Sequence, residues 1–245
     1  MALLYVLFVL LLFDFIRSVV QMIQVKRYFE AGYRGSQGIY TTGKGPRLTV
    51  ALIGDSGIDG HHTNQSKYGP YGPIIDQLAK THTVEAHVFA TQGAKTRDVL
   101  SNQLPKVKRL KQVDIIFVYM GANNILRGYG VAAAIDDYDH LLAYAESKQA
   151  IVIASEIADY YMLKMFSLIH RLIIYMANKR INRLLRKSAA KRKNFILIPI
   201  TGITKKYFTK VHQADGLHPN DKGLVLWGQF LLEDLRSRRE MRRYF

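Results

Sequence analysis

Short apolar runs alternate with amphipathic stretches along most of this 245-residue chain. Residues 48–53, 84–90, 113–120, 150–154 and 195–200 are nearly continuous in Val, Ile, Leu, Phe and Ala. Strands buried on both faces read this way, because neither face has to meet water. Between them, apolar positions recur at helical spacing and predict helices near 73–80, 96–108, 131–148 and 160–187, with a last one near 221–239. Alternating strands and helices predict an α/β fold, a three-layer α/β/α sandwich with a central parallel sheet of about five strands. In such sheets ligands gather outside the carboxyl ends of the strands, so the residues just after each run are where chemistry is expected.

The pattern is different at the N-terminus. Residues 2–13 are apolar without interruption, and Asp14 and Arg17 then intrude three positions apart, on one face of a helix where they can pair. A spanning helix needs about 20 apolar residues, and reaching that length means accommodating this pair. A cleaved signal peptide would show a basic leading region and a small-x-small cleavage site, and neither is present. The segment 1–27 is therefore expected to be a retained hydrophobic membrane anchor, with a signal peptide and a buried core helix as the other readings. Arg17, Lys26, Arg27 and Arg34 follow the apolar run 2–13, a bias that favours the cytoplasmic face for the rest of the chain. Residues 28–47, rich in Gly, Thr, Ser and Tyr, are expected to link the anchor to a domain over 48–245 with a basic C-terminal tail. Gly38 to Lys44 spells G-x-x-x-x-G-K, but Gly45 and Pro46 follow where Ser or Thr and a helix should stand, so a phosphate-binding loop is rejected.

Charge changes the picture further. Thirty-five Lys+Arg against 19 Asp+Glu leave a net charge of +16, which favours anionic partners. The excess is local: ten Lys and Arg and no acidic residue lie between Lys164 and Lys193. Apolar residues at helical spacing in the same stretch (Met162, Met165, Phe166, Ile169, Leu172, Ile173, Met176) fit a helix packed on the sheet with a solvated basic face. They fit equally a membrane-apposed helix whose cations meet anionic headgroups. No nucleic-acid recognition motif accompanies the charge, so no specific nucleic-acid partner is expected. The absence of cysteine excludes disulfides, thiolate catalysis and Cys-ligated zinc. His61, His62, His82, His87, His140, His170 and His212 show no ligand spacing with carboxylates, so neither a metal nor any other cofactor is expected.

The strand ends carry the candidate chemistry. The first run ends in Gly54-Asp55-Ser56-Gly57, the second in Thr91-Gln92-Gly93-Ala94 and the third in Gly121-Ala122-Asn123-Asn124, while Asp215 stands three residues ahead of His218 before the last helix. A serine hydroxyl becomes a nucleophile only when a base accepts its proton. His218 suits that task, and Asp215 suits the orientation of the imidazole. The Ser56 and Gly93 N–H groups and the Asn123 amide would supply three donors to a tetrahedral oxyanion.

On these four ordered motifs the chain resembles the SGNH hydrolases, or GDSL-type esterases and lipases, over roughly residues 48–235. The resemblance implies a flavodoxin-like sandwich, Ser56 as nucleophile, Gly93 and Asn123 completing the oxyanion hole with Ser56, and Asp215 and His218 completing the triad. Gly57 stands where the family usually has Leu or another apolar residue, and Asn124 where Asp is common. The implied activity is hydrolysis of acyl esters through an acyl-enzyme, and the anchor and basic stretch favour a lipid or lysophospholipid substrate. A carbohydrate O-acetyl esterase, and a non-catalytic basic protein binding anionic lipid or nucleic acid on the same scaffold, are the alternatives.

Overall fold

The computed structural model describes residues 2–30, 35–59, 67–126, 130–163, 165–200 and 217–245. A 29-residue helix, α1 (Ala2–Glu30), precedes a six-stranded sheet. The strands are β1 (Gly38–Thr42), β2 (Arg47–Gly54), β3 (Thr83–Val88), β4 (Ile115–Tyr119), β5 (Ile151–Ser155) and β6 (Phe195–Ile198), in the order β1-β3-β2-β4-β5-β6. The principal helices of the body are α2 (Gly72–Leu78), α3 (Val131–Ser147), α4 (Leu168–Ala189) and α5 (Asp221–Ser237).

The five predicted strands are the five parallel ones, β2 to β6. The sixth, β1, lies in the stretch read as a linker and pairs antiparallel with β3, from Gly38 opposite Val88 to Thr42 opposite Val84. Its side chains alternate between half-buried and exposed. Such an edge strand has too few apolar residues to stand out in sequence, and pairing rather than hydrophobicity holds it.

Chain order reverses across β2, which has β3 on one side and β4 on the other. The loops after β2 and β4 therefore part at their carboxyl ends and leave a crevice there, as at the switch point of any doubly wound sheet. Large side chains stiffen this edge. The Tyr71 hydroxyl donates to the Val118 carbonyl at 2.8 Å and the Tyr138 hydroxyl to the Met120 carbonyl at 3.0 Å, so two fully buried rings keep their polar ends satisfied while gripping the end of β4.

Two predicted helices are interrupted. The expected helix over 96–108 is three pieces, Thr96–Asp98, a wide π turn Val99–Gln103, and Leu104–Lys108. Pro105 cannot donate to the residue four positions back and its ring crowds that carbonyl, so the turn before it opens. The expected helix over 160–187 is a 3₁₀ turn, Tyr160–Met162, followed by α4. Ser167 starts α4 by accepting the His170 N–H, a side-chain cap that periodicity alone does not reveal.

α4 itself has two characters. Its second half buries Ile174, Asn178, Ile181, Asn182 and Leu185 against the body, as a packed helix should. Its first half does not: Ile169, Leu172, Ile173 and Met176 are exposed. Of α1, the segment Leu4–Gln24 is long and apolar enough to cross a membrane, with a mean hydropathy of 2.2 and 6% buried, as either an anchor or a signal sequence would be. That exposure sets aside the buried-core reading.

Candidate active site

The carboxyl ends of β3, β2 and β4, neighbours in the sheet, converge as the sequence pattern requires. Gly54 closes β2, and its N–H and carbonyl are both held by the Gln103 side-chain amide, each at 2.8 Å. That clamp comes from the π turn and fixes where the chain leaves the sheet. Asp55 continues the register by donating its N–H to the Tyr119 carbonyl at 3.1 Å, and Ser56 opens a single helical turn, Ser56–Asp59. As the first residue of that turn, Ser56 has no intrahelical acceptor for its N–H.

His218 arrives from the other end of the chain. Asn220 caps α5 by accepting the Gly223 N–H at 2.9 Å, so His218 sits two residues ahead of a fixed helix start. The ring is buried, and its Nε2 lies 2.8 Å from Ser56 Oγ. This distance is within reach for proton transfer between a hydroxyl and an imidazole. Asp215 lies outside the described residues, as do His61, His62 and His212.

Gly93 occupies the loop after β3 with φ +70, a left-handed conformation that a side chain would strain. Asn123 lies in the turn Ala122–Leu126 after β4. Its Nδ2 donates to the Asp55 carboxylate at 3.3 Å and to the Ala94 carbonyl at 3.2 Å. Two long bonds to two acceptors hold the amide beside Asp55 and the loop after β3 and are weak enough to exchange for a better acceptor. The second asparagine has a separate task. Asn124 accepts the Thr96 N–H and donates to Thr96 Oγ1, each at 3.0 Å, and Thr96 Oγ1 donates to Asp137 at 2.7 Å. That buried chain ties the loop carrying Gly93 to the turn carrying Asn123, so Asn124 is a brace.

Gly57 has a steric cause. A Cβ at this position would stand 2.5 Å from the Tyr119 ring, and the space a leucine would need is already filled by that tyrosine. The Tyr119 hydroxyl meets the Tyr160 hydroxyl at 3.0 Å, and the Trp227 ring stands edge-on to Tyr119 with centroids 5.0 Å apart. The aromatic at the end of β4 takes the volume a larger residue beside Ser56 would claim.

Asp55 is the residue that motif reasoning passes over. It is buried, and its Oδ1 accepts the Gly57 N–H at 2.9 Å while Oδ2 accepts from Asn123. Burial pushes its pKa up to about 7, with the Gly57 and Asn123 donors pulling the other way. Because the folded protein keeps this proton up to about pH 7 and an unfolded aspartate releases it near pH ~3.9, the folded state binds more protons between those limits. Stability from this group therefore falls as pH rises from about 4 to about 7 and is level beyond. Asp55→Asn removes the titration, so the variant should gain on the parent protein across that window by up to about 4 kcal/mol. Urea melts of both proteins at each pH from 4 to 8 measure the difference; a gap that does not widen with pH refutes it. Asp59, one turn on, is also buried, its pKa pushed up to about 6, and it accepts both the Ser36 N–H at 2.8 Å and the Ser36 hydroxyl at 3.0 Å.

Among the described residues no group of three or more His, Asp or Glu side chains is placed to hold a metal ion. The geometry offers a hydroxyl within reach of a base, with the Asn123 amide on the turn after the neighbouring strand, the beginnings of a nucleophilic acyl-transfer site.

Comparison with known proteins agrees with this geometry. The profile of the GDSL-like Lipase/Acylhydrolase family matches residues 52–224. No curated protein sequence matches the chain. Among solved structures, a lipolytic G-D-S-L family protein from Veillonella parvula DSM 2008 superposes with a TM-score of 0.61 at 17% identity, covering 78% of this chain and 100% of its own. An extracellular lipase from Streptomyces rimosus gives 0.56 at 18%, covering 76% and 99%. An acetylxylan esterase from Geobacillus stearothermophilus gives 0.59 at 12%, covering 78% and 94%. At these identities the likeness is one of fold.

Proposed function

This chain belongs to the GDSL-like lipase/acylhydrolase family, and from that premise we propose that it is a membrane-attached serine hydrolase that cleaves acyl esters of a lipid or lysophospholipid. The observation that carries the reading is the 2.8 Å approach of Ser56 Oγ to His218 Nε2 at the crevice beside β2. Ser56 attacks the ester carbonyl while His218 takes its proton; the oxyanion is held by the Ser56 and Gly93 N–H groups and the Asn123 amide. His218 then gives that proton to the leaving alcohol; in the second half it takes a proton from water, whose oxygen attacks the acyl carbonyl, and returns it to Ser56 Oγ as the acid leaves. Asp215, three residues ahead of His218 in the sequence, is assigned in this reading to orient the imidazole. Membrane attachment is through α1, most of whose apolar side chains from Leu4 to Ile23 are left exposed among the described residues.

The substrate class follows from that attachment and from the basic stretch, whereas the enclosed chemistry would serve any ester. A panel of p-nitrophenyl esters of graded acyl length, run beside a lysophospholipid and an acetylated sugar, tests it. Rates that rise with acyl length, together with release of fatty acid from the lysophospholipid, are expected. Activity confined to acetyl esters would transfer the reading to carbohydrate deacetylation, the activity named for the Geobacillus structure. Failure to hydrolyse any ester, with no labelling by a fluorophosphonate, would leave a binding protein on this scaffold.

A further inference from the structure

Asp14 and Arg17 interrupt an otherwise apolar helix, and the structure gives them an occupation. Arg17 pairs with Asp14 at 2.7 Å and donates to Gln21 at 2.7 Å. The other Asp14 oxygen accepts the Leu168 N–H at 2.8 Å, and the Ser18 hydroxyl accepts the Ser167 N–H at 3.1 Å. Arg17 also reaches the Phe166 carbonyl at 3.5 Å, and Phe15 stacks on His170. The polar residues of α1 thus satisfy the backbone groups at the start of α4. In water those groups would be solvated without help; in hydrocarbon each must find a partner within the protein.

The same end of α4 is apolar where it faces outward. Leu168, Ile169, Leu172, Ile173 and Met176 are each 50–64% exposed, next to the exposed apolar side chains of α1. Arg171, which would break this surface, is drawn back by donating to the Tyr161 carbonyl at 2.7 Å. From Leu168 to Met176 the helix rises about 12 Å, most of the depth of one leaflet of a hydrocarbon core about 30 Å thick. Lys179, Arg180 and Arg183 come next along the helix, at the level where phosphate headgroups would lie.

Topology places this surface beside the candidate active site. α4 follows the carboxyl end of β5, which is parallel to β4 and through it to β2, so its start lies on the edge that carries Ser56. β1 is antiparallel to β3, so the chain leaving α1 also enters at that edge, where Ser36 bonds Asp59 of the Ser56 turn. A continuous path of contacts runs from Gly57 through Tyr119 to Tyr160 in the segment leading to α4.

We propose that α4 enters an anionic bilayer N-terminus first, clasped to α1 through Asp14, Arg17 and Ser18, so that the Ser56 edge of the sheet faces the membrane surface. The inference rests on the membrane attachment stated above and is independent of the hydrolytic chemistry. An ester lipid would then reach Ser56 from the leaflet without crossing water.

The lack of native cysteine makes the test direct. Single substitutions Phe8→Cys, Ile173→Cys, Arg183→Cys and Arg109→Cys, in the full chain reconstituted in vesicles containing phosphatidylglycerol, each carry an environment-sensitive fluorophore. Unchanged melting temperatures show that each variant is folded. Labels at 8 and 173 should lose emission to nitroxides on the acyl chains, and the label at 183 to nitroxides on the headgroups. The label at 109, in the turn before the amino end of β4, should respond to neither. A label at 173 that stays in water while 8 is quenched overturns the docking of α4 but keeps the anchor. Water at both positions overturns the attachment as well. A label at 173 shielded from water, unquenched by lipid, and crosslinking to its counterpart in a second molecule would mean that another copy covers the face, which also overturns the proposal.

Discussion

Ser56→Ala is expected to lower kcat for ester hydrolysis on the order of 10⁶-fold, and His218→Ala by nearly as much, because the hydroxyl and its base act as one unit. The double variant should then be scarcely worse than either single one. The two side chains are already within 2.8 Å, so neither has an independent task to lose. Asp215→Ala should cost less, roughly 10⁴-fold, since an imidazole without its orienting carboxylate is still a base. Fluorophosphonate labelling with intact-mass analysis, together with single-turnover rates, measures all of these. Labelling that survives in Ser56→Ala, or losses that multiply in the double variant, would remove Ser56 from the role of nucleophile.

Asn123→Ala should reduce kcat by about 10²–10³-fold with little change in KM, the loss associated with one oxyanion donor. In the resting site both bonds made by the amide are long, to Asp55 and to Ala94. As negative charge develops on the substrate oxygen, exchanging one of them for a short charge-assisted bond becomes favourable, and only in the transition state. A variant whose whole defect is a raised KM would show that Asn123 holds substrate and does not stabilise the transition state. A control is available in Asn124→Ala, which unties the brace to Thr96: it should lower the melting temperature before it lowers kcat.

The body's organisation could be read from residue order because buried parallel strands leave a strong local mark. Runs such as 48–53 and 113–120 have no polar alternation, and turn residues follow them abruptly. The edge strand β1 left no such mark, since its ladder to β3 is made by backbone groups that every residue carries. The opened turn at 99–103 and the late start of α4 at Leu168 were similarly hidden. One depends on how the turn ahead of Pro105 packs, with Gln103 reaching Gly54, and the other on a helix start whose partners include a residue about 150 positions away.

Within the site, sequence alone marked the candidate groups: Ser56, Gly93 and Asn123 after strands and His218 before the last helix belong to motifs of a few contiguous residues, and each motif suggests its own chemistry. What only the tertiary structure decided is how those groups are held and what surrounds them. The Gln103 clamp on Gly54, the Tyr119 ring that requires glycine at 57, and the burial that raises the Asp55 pKa all join residues far apart in the chain. The same holds for Asp14 and Arg17, which in sequence are flaws in an apolar helix and in the fold satisfy the first turn of α4. Motif chemistry is local and survives in residue order. Desolvation, steric exclusion and hydrogen-bond satisfaction depend on which surfaces meet, and that is set only when the chain closes on itself.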